Sequence, residues 1–141
     1  MIVNLGRADE EEAFQLLKRA HKADGLAKTF SEGKVRRLLD DSFSNPKVLV
    51  LVNKDVTAIL IWMLIPSTFS YKCNIHEIVF YSESAGSGFR LLKESEEWLN
   101  SWGSSVEHIS LTTTSRDERV DEMIEKFGWT NVGSQFIRGE V

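Results

Sequence analysis

The stretch that decides the fold is "SESAGSGFRLLKESEEW", residues 82–98, in which a loop of small residues leads into an amphipathic helix. The first turns of this helix carry Arg90 and Lys93, and its later turns carry three glutamates. This charge order is unfavourable for an isolated helix, because the helix N-terminus is already the positive end of the helix dipole. It becomes favourable when an anion lies at the helix start, where the first N–H groups lack internal partners.

The two glycines of the loop, Gly86 and Gly88, therefore predict an anion site of the kind that holds phosphates. Two common phosphate-binding motifs do not match it. A P-loop needs lysine and then serine or threonine after its last glycine, but Phe89 and Arg90 follow here. The dinucleotide fingerprint needs a third glycine where Leu91 stands. A plain glycine turn followed by a solvated charged helix face remains the alternative.

Composition predicts one soluble globular domain, residues 1–141, with 42% hydrophobic residues and only two prolines. The net charge of −4 and the absence of a basic block argue against nucleic-acid binding. The single cysteine, Cys73, allows neither an intramolecular disulfide nor a cysteine-based metal site, and no metal is expected.

The sequence also predicts a cytoplasmic protein that does not enter the membrane. Its first ten residues already include the acidic residues Asp9 and Glu10, and they do not resemble a signal peptide. The longest apolar run, residues 56–66, is too short to span a bilayer and ends in Pro66.

Periodicity and turn residues predict the element order β-α-α-β-β-β-α-β-α-β. Asp9 and Glu12 form a capping box at the first helix, and a second helix begins at Ser31 with Phe30 and Val35 as a hydrophobic staple. The remaining elements are a hairpin around 53–55, a strand at 73–81, the helix of the quoted stretch up to Gly103, a strand at 106–112, a helix at 117–127, and one or two closing strands at 130–141.

This order predicts an α/β (α+β) domain with a mixed sheet flanked by helices. The hairpin makes part of the sheet antiparallel. The passage from Cys73 to Thr112 is expected to be a crossover between parallel strands. In the last helix, we expect Val120, Met123, Ile124 and Phe127 to face inward, and Gly128 to end it.

Residues 83–103, "ESAGSGFRLLKESEEWLNSWG", and residues 106–136 resemble the GNAT superfamily of N-acetyltransferases. That family has the pattern Arg/Gln-x-x-Gly-x-Gly/Ala, followed by Leu-Leu. Here the pattern becomes Glu83-x-x-Gly86-x-Gly88, and then Leu91-Leu92. The segment 117–133, "DERVDEMIEKFGWTNVG", is similar to the family's next helix and its exit. The resemblance extends over residues 73–133 by motif, and over the N-terminal half only in element order.

The resemblance implies that acetyl-coenzyme A is the co-substrate. In this family the loop amides hold the pyrophosphate, the preceding strand holds the pantetheine arm, and the thioester points between that strand and the next, which the family splays apart. We expect a Gly88→Val change to block the phosphate and leave the fold largely intact. The implied cofactor-binding residues are Ile78, Val79, Phe80, Tyr81, Ser84, Ala85, Gly86, Ser87, Gly88, Phe89 and Arg90.

Three positions depart from the family pattern. Glu83 replaces the family's arginine or glutamine, and a carboxylate beside a phosphate weakens binding unless it points away. Asp117 replaces a helix asparagine and is expected to cap the helix. Ile124 replaces a frequent tyrosine that acts as general acid for the departing thiolate, so that another group or a water must protonate the sulfur.

Amine acetylation needs a base, and the strand at 73–81 offers His76 and Glu77, which alternate across it. Glu77 is the predicted catalytic residue, because "HEIVF" resembles the histone-type branch of the family, although its spacing to Gly86 is shorter than in that branch. The alternative is that Glu77 is a solvated edge or substrate-groove residue, and that His76 is a hydrogen-bonded structural histidine or part of a groove wall. Trp62 and Tyr81 are further candidates for lining a substrate groove.

The resulting hypothesis is an N-acetyltransferase that acts on the amine of a small molecule or peptide, as a monomer or homodimer. The alternative is a GNAT-fold module that has lost catalysis and serves as a coenzyme-A-binding or protein-interaction domain. The loop with Gly86 and Gly88 favours the first hypothesis, and Glu83 and Ile124 favour the second.

Overall fold

The computed structural model describes residues 2–24, 29–112, 118–133 and 138. Single 3-10 turns at Arg7–Asp9 and Gly103–Ser105 supplement the regular elements. The strands and helices in chain order are β1 (Ile2–Asn4), α1 (Glu10–Asp24), α2 (Glu32–Ser42), β2 (Val48–Asn53), β3 (Ala58–Pro66), β4 (Cys73–Ser82), α3 (Ser87–Glu94), α4 (Glu96–Ser101), β5 (Val106–Ser110) and α5 (Glu118–Lys126).

The strands form one mixed sheet in the order β1-β2-β3-β4-β5, which confirms the predicted fold class. The first three pairs are antiparallel, and β4 and β5 are parallel, as a crossover through α3 and α4 requires. The predicted hairpin between β2 and β3 is also confirmed. The Asn53 side chain closes its turn by accepting the backbone N–H groups of Thr57 and Ala58 at 2.8 and 2.9 Å.

The two faces of the sheet bury separate apolar clusters, because successive strand residues point to opposite sides. On the α1–α2 face, Ile59 and Ile61 of β3 pack with Phe14 and Leu39. The α3–α4 face is centred on Leu60, Trp62, Ile75, Leu91, Leu92 and Leu99. Helix α3 therefore packs on the side of the sheet opposite to α1.

The quoted stretch forms two consecutive helices instead of one. Ser95 lies between α3 and α4, is fully buried, and donates its hydroxyl to the Leu92 carbonyl at 2.7 Å. A serine hydroxyl that bonds to a carbonyl of the preceding turn competes with the backbone hydrogen bonds of the helix, and it often bends the helix. The predicted apolar face is nevertheless correct, since Leu91, Leu92 and Leu99 are buried.

The helix starts and ends agree with the sequence in part. Ser31 caps α2 by accepting the Lys34 N–H at 3.4 Å, as predicted. Asp9 precedes α1 but lies in a 3-10 turn. In α5, Ile124 is buried as predicted, whereas Met123 is 37% exposed, so its predicted inward orientation is wrong. Phe127, directly after the helix, is 39% exposed, and its ring lies 5.9 Å from that of Phe89.

Some predictions fall on residues outside the described ranges, among them the Asp117 cap and most of the closing strands. Residues 130–133 are described and form neither strand nor helix. Among the described residues, no helix has both the length and the apolar character that crossing a membrane requires.

Candidate functional site

A β-bulge divides strand β4. Trp62 of β3 pairs with Glu77, but the next pair joins Ile61 to Val79, so that Ile78 is an extra residue without a partner on β3. Bulges of this kind disrupt the ladder locally and are frequent next to active sites. The side chain of Ile78 is 40% exposed, in contrast to the fully buried Ile75.

Strand β5 leaves β4 just before this bulge. The last parallel pair joins His76 to Ser110, whereas β4 continues to Ser82. Within the described part of the chain, residues 78–82 therefore have no strand partner on the β5 side. The separation of these two strands, which the resemblance implies, leaves backbone N–H and C=O groups of β4 available to an extended ligand.

The open edge of β4 ends at the N-terminus of α3. Gly86 caps this helix in a left-handed conformation, with φ of 78°, which glycine adopts without strain. A side chain at Gly86 would meet none of the described atoms within 4 Å, so the space above the helix start is open. The first turn of α3 contains no acidic residue, and Arg90 there is exposed.

Hydrogen bonds hold this loop against the β2–β3 turn. The Ser84 hydroxyl donates to Ser87 Oγ at 2.7 Å and lies 3.1 Å from Thr57 Oγ1. The Glu83 N–H donates to the Thr57 carbonyl at 2.7 Å. The Asn53 amide in turn donates to the Thr57 hydroxyl at 2.8 Å. The loop is thus positioned by side chains of a second turn, which favours a preorganised site.

Gly88 is a packing residue. It is buried, and a Cβ built on it would lie 3.1 Å from the Phe80 ring and 3.4 Å from Ser82 Cβ. Glycine here lets α3 approach β4 closely. The expectation that Gly88→Val leaves the fold largely intact is therefore corrected, because the added methyl groups would push α3 away from the strand.

Glu83 points toward α1. Its two carboxylate oxygens accept Arg19 Nε at 2.8 Å and Arg19 Nη2 at 3.0 Å, and the Tyr81 hydroxyl donates to it at 3.1 Å. The hydrogen bonds from Arg19 lower the pKa of Glu83. Burial, followed by the hydrogen bond to Glu83, raises the pKa of Tyr81. The family's arginine or glutamine is thus replaced by a carboxylate that already has a cationic partner.

His76 and Glu77 lie on opposite faces of β4, as their alternation predicts. Glu77 is partly buried and pairs across the sheet with Trp62, on the α3–α4 face. His76 pairs with Met63 on the α1–α2 face, and its Nδ1 lies 3.1 Å from Ser110 Oγ. Both residues stand where β4 and β5 separate, and because they face opposite sides of the sheet, only one of them can face a group bound on a given side.

The other predicted groove residue, Trp62, is fully buried and stacks on Trp129 with ring centroids 6.0 Å apart. It belongs to the core and lines no groove. Arg19 and the Ile78 bulge were not predicted as site features. The sequence carries no signal for the bulge, and only the acidic Glu83 could have prompted a search for a cation on another element.

A cavity of about 850 Å³ lies elsewhere, between β5, α4 and residues 127–132. Its lining includes Leu99, His108 and Trp129 but no residue of β4. No cluster of three metal-ligating side chains occurs in the described ranges.

No family model matches the chain, and no curated protein matches it. Structure comparison finds solved proteins with a similar fold. A transcriptional regulator from Bacillus halodurans C-125 superposes with a TM-score of 0.73, at 14% identity over 99% of both chains. An aminoglycoside acetyltransferase from an uncultured soil metagenomic sample, solved with trehalose, gives 0.69 at 16% identity, over 100% of this chain and 96% of that one.

A predicted acetyltransferase from Clostridium acetobutylicum, solved with acetyl-CoA, has a TM-score of 0.69 at 14% identity, over 99% of this chain and 95% of the other. At such identities the likeness concerns the fold. In the residues that the structure describes, the chain has the fold of these acetyltransferases, which is the GNAT fold that the resemblance implies.

Proposed function

We propose that the chain is an N-acetyltransferase that transfers an acetyl group from acetyl-coenzyme A to an amine. One observation carries the proposal: the edge of β4 at residues 78–82, which has no β5 partner within the described residues, leads directly into the open N-terminus of α3. An extended arm that ends in a pyrophosphate needs this combination of backbone edge and anion site. A neighbour solved with acetyl-CoA has the same fold.

In this proposal the pyrophosphate lies on the N–H groups of the loop from Ser84 to Phe89, with Arg90 adding positive charge. The pantetheine arm follows residues 78–81 along the open edge, so that the thioester lies near the point where β4 and β5 separate. The residues present suit such a ligand, because the helix start carries no carboxylate in its first turn and Gly86 leaves the space above it open.

The reaction joins the amine nitrogen to the acetyl carbon and breaks the carbon–sulfur bond. Glu77 is our candidate base, since it follows the last residue of β4 that pairs with β5 and so stands where the two strands separate. The departing thiolate needs a proton, and the position of the family's tyrosine is the buried Ile124. A water is our candidate donor to the sulfur, and the proton that Glu77 takes from the amine returns to solvent, so that the proton taken up and the proton released balance.

The acceptor in this proposal is an amine of a small molecule or a peptide, and the chain acts as a monomer or homodimer. A cytoplasmic location fits the single cysteine, which forms no disulfide within the chain. The second candidate function is a non-catalytic module that binds coenzyme A or another protein. Ile124 favours it, since the usual general acid is absent from α5.

The proposal is tested by a matched pair of variants, Gly86→Asn and Gly86→Asp. Both residues tolerate a left-handed conformation and have the same shape, and they differ only in charge. Calorimetric titration with acetyl-coenzyme A should give a dissociation constant at least about tenfold higher for the aspartate variant, because its charge opposes the pyrophosphate.

Equal affinities for the two variants would contradict the assignment of the loop. No binding to the wild-type chain would reject both candidate functions that involve coenzyme A. Binding without acetylation of any member of a broad amine panel would favour the non-catalytic module.

A further inference from the structure

The strongest unassigned feature is the ion pair that joins helix α1 to the proposed coenzyme A loop. Arg19 approaches Glu83 with two nitrogens, at 2.8 and 3.0 Å, although the two residues are 64 positions apart in the sequence. Tyr81 donates a third hydrogen bond to the same carboxylate. Bidentate contacts of a guanidinium with a carboxylate are the stronger and more directional class of ion pair.

The direction of this contact follows from the sheet. Tyr81 packs on the α1–α2 face, and Phe80 packs on the other face, where α3 lies. Glu83 follows Tyr81 by two residues, and its carboxylate is held on the same side as Tyr81 by Arg19. The charge of Glu83 is thus directed toward α1, away from the helix whose N-terminus faces the proposed ligand.

We propose that Arg19 is a positioning residue for coenzyme A binding, which holds and neutralises Glu83 so that the adjacent loop accepts a pyrophosphate. The inference rests on the proposed function and adds a residue of α1 to its site.

The physical reason is electrostatic. Glu83 immediately precedes the loop amides from Ser84 to Phe89, so an unpaired carboxylate there would oppose a pyrophosphate and would be free to rotate toward the amides. With Arg19 in place, the local net charge of the pair is zero and the carboxylate is tethered. The family pattern achieves a similar result with a neutral or cationic side chain at position 83.

A double-mutant cycle separates this role from direct ligand contact. The four proteins are wild type, Arg19→Gln, Glu83→Gln and the double variant, and the measurement is the dissociation constant of coenzyme A by calorimetry at low salt. Arg19→Gln should weaken binding about fivefold, equivalent to about 1 kcal/mol. The double variant should bind within about twofold of wild type, because the charge that Arg19 compensates is gone.

Arg36→Gln is the matched control. Arg36 forms a similar ion pair with Glu11, at 2.8 Å, between α2 and the start of α1. Arg36→Gln changes the net charge by the same amount as Arg19→Gln but leaves the loop from Ser84 to Phe89 untouched. The dissociation constant of coenzyme A should therefore not change. The effect of Arg19→Gln should also shrink in 0.5 M salt, where exposed charges are screened over roughly 4–5 Å.

A second readout reports on the cluster without any ligand. The chain has two tyrosines, and Tyr71 is fully exposed, so a Tyr71→Phe background leaves Tyr81 as the sole phenol to titrate by ultraviolet absorption. Adding Glu83→Gln should lower the pKa of Tyr81 toward 10.0, and adding Arg19→Gln should raise it further.

The outcomes are distinct. An Arg19→Gln variant that binds as well as wild type would overturn the inference and leave the proposed function standing. Equal weakening of coenzyme A binding in Arg19→Gln and in the double variant would also overturn it, because Arg19 would then contact the ligand itself. A wild-type chain that does not bind coenzyme A would overturn both the inference and the proposed function. An unchanged Tyr81 titration in both variants would show that the cluster does not form in solution.

Discussion

The two halves of strand β4 differ in how they are enclosed. Cys73, Ile75 and His76 pair with β3 on one edge and with β5 on the other, and Ile75 is fully buried. Within the described residues, 79–82 pair with β3 and not with β5, and they follow a bulge at Ile78 whose side chain is 40% exposed. One continuous strand therefore contains a closed, structural half and an open half.

This difference explains where the proposed chemistry is located. A fully paired strand has no backbone groups left for a ligand, whereas a strand that loses one partner presents a row of them. Three features of this chain lie within a few residues of one another: the end of the pairing between β4 and β5, the bulge at Ile78, and the contact between His76 and Ser110. We expect substitutions in the closed half to affect stability and substitutions in the open half to affect binding and turnover.

The largest effect is expected in the closed half. Ile75→Ala should lower the free energy of unfolding by about 2–5 kcal/mol, because it leaves a cavity in the α3–α4 core. Ile78→Ala should change it by only about 0.5 kcal/mol, as for an exposed side chain. Urea denaturation of both variants measures the contrast. Similar losses for the two would mean that the halves do not differ in burial.

The next prediction concerns two adjacent residues at the boundary. Glu77→Gln should reduce turnover by roughly 100-fold or more with unchanged coenzyme A affinity, because it removes the proposed base and keeps the shape. The acidic limb of the pH–rate profile should disappear with it. His76→Gln is the control on the opposite face. If His76→Gln, and not Glu77→Gln, abolishes turnover, the assignments of the two residues are reversed.

A third variant pair tests the packing of α3 on the open half. Gly88→Val should destabilise the chain by about 1–3 kcal/mol, since its side chain would overlap the Phe80 ring. Gly88→Ala adds one methyl group at 3.1 Å from that ring and should cost less. Thermal unfolding without ligand separates this effect from any effect on binding. A fully stable Gly88→Val variant would show that α3 does not lie as close to β4 as described.

The smallest effect is the acid dependence of the ion pair at the end of the open half. Arg19 lowers the pKa of Glu83 below its ordinary value of 4.5, so the pair stabilises the folded state above that pH. This contribution should be lost as the pH falls from 4.5 through the folded-state pKa. Glu83→Gln should flatten the decline in unfolding free energy over this interval. An identical decline in both proteins would show that the pair adds no stability.

The sequence predicted the fold through local signals. The Ser31 cap, the Asn53 turn and the small-residue loop at Gly86 each depend on neighbouring residues, and all three agree with the structure. The helix break at Ser95 was not predicted, because a serine within an apolar face gives no sign that its hydroxyl will bond to the backbone of its own helix.

The candidate site was less accessible to sequence reasoning, because its decisive contacts are non-local. Arg19 reaches Glu83 across 64 positions, and the Ile78 bulge depends on how β3 and β4 pair. Gly88 shows a further difficulty. A glycine that frees space for a ligand and one that lets a helix approach a strand look identical in sequence, and only the distance to Phe80 separates them.

The most direct test of the central claim is hydrogen exchange of the β4 amides with and without acetyl-coenzyme A, followed by mass spectrometry or NMR. If the ligand lies along the open half, exchange should slow at residues 78–82 and in the loop up to Phe89, and stay unchanged at residues 73–76. Protection confined to other segments, such as those around the cavity between β5 and α4, would contradict the account.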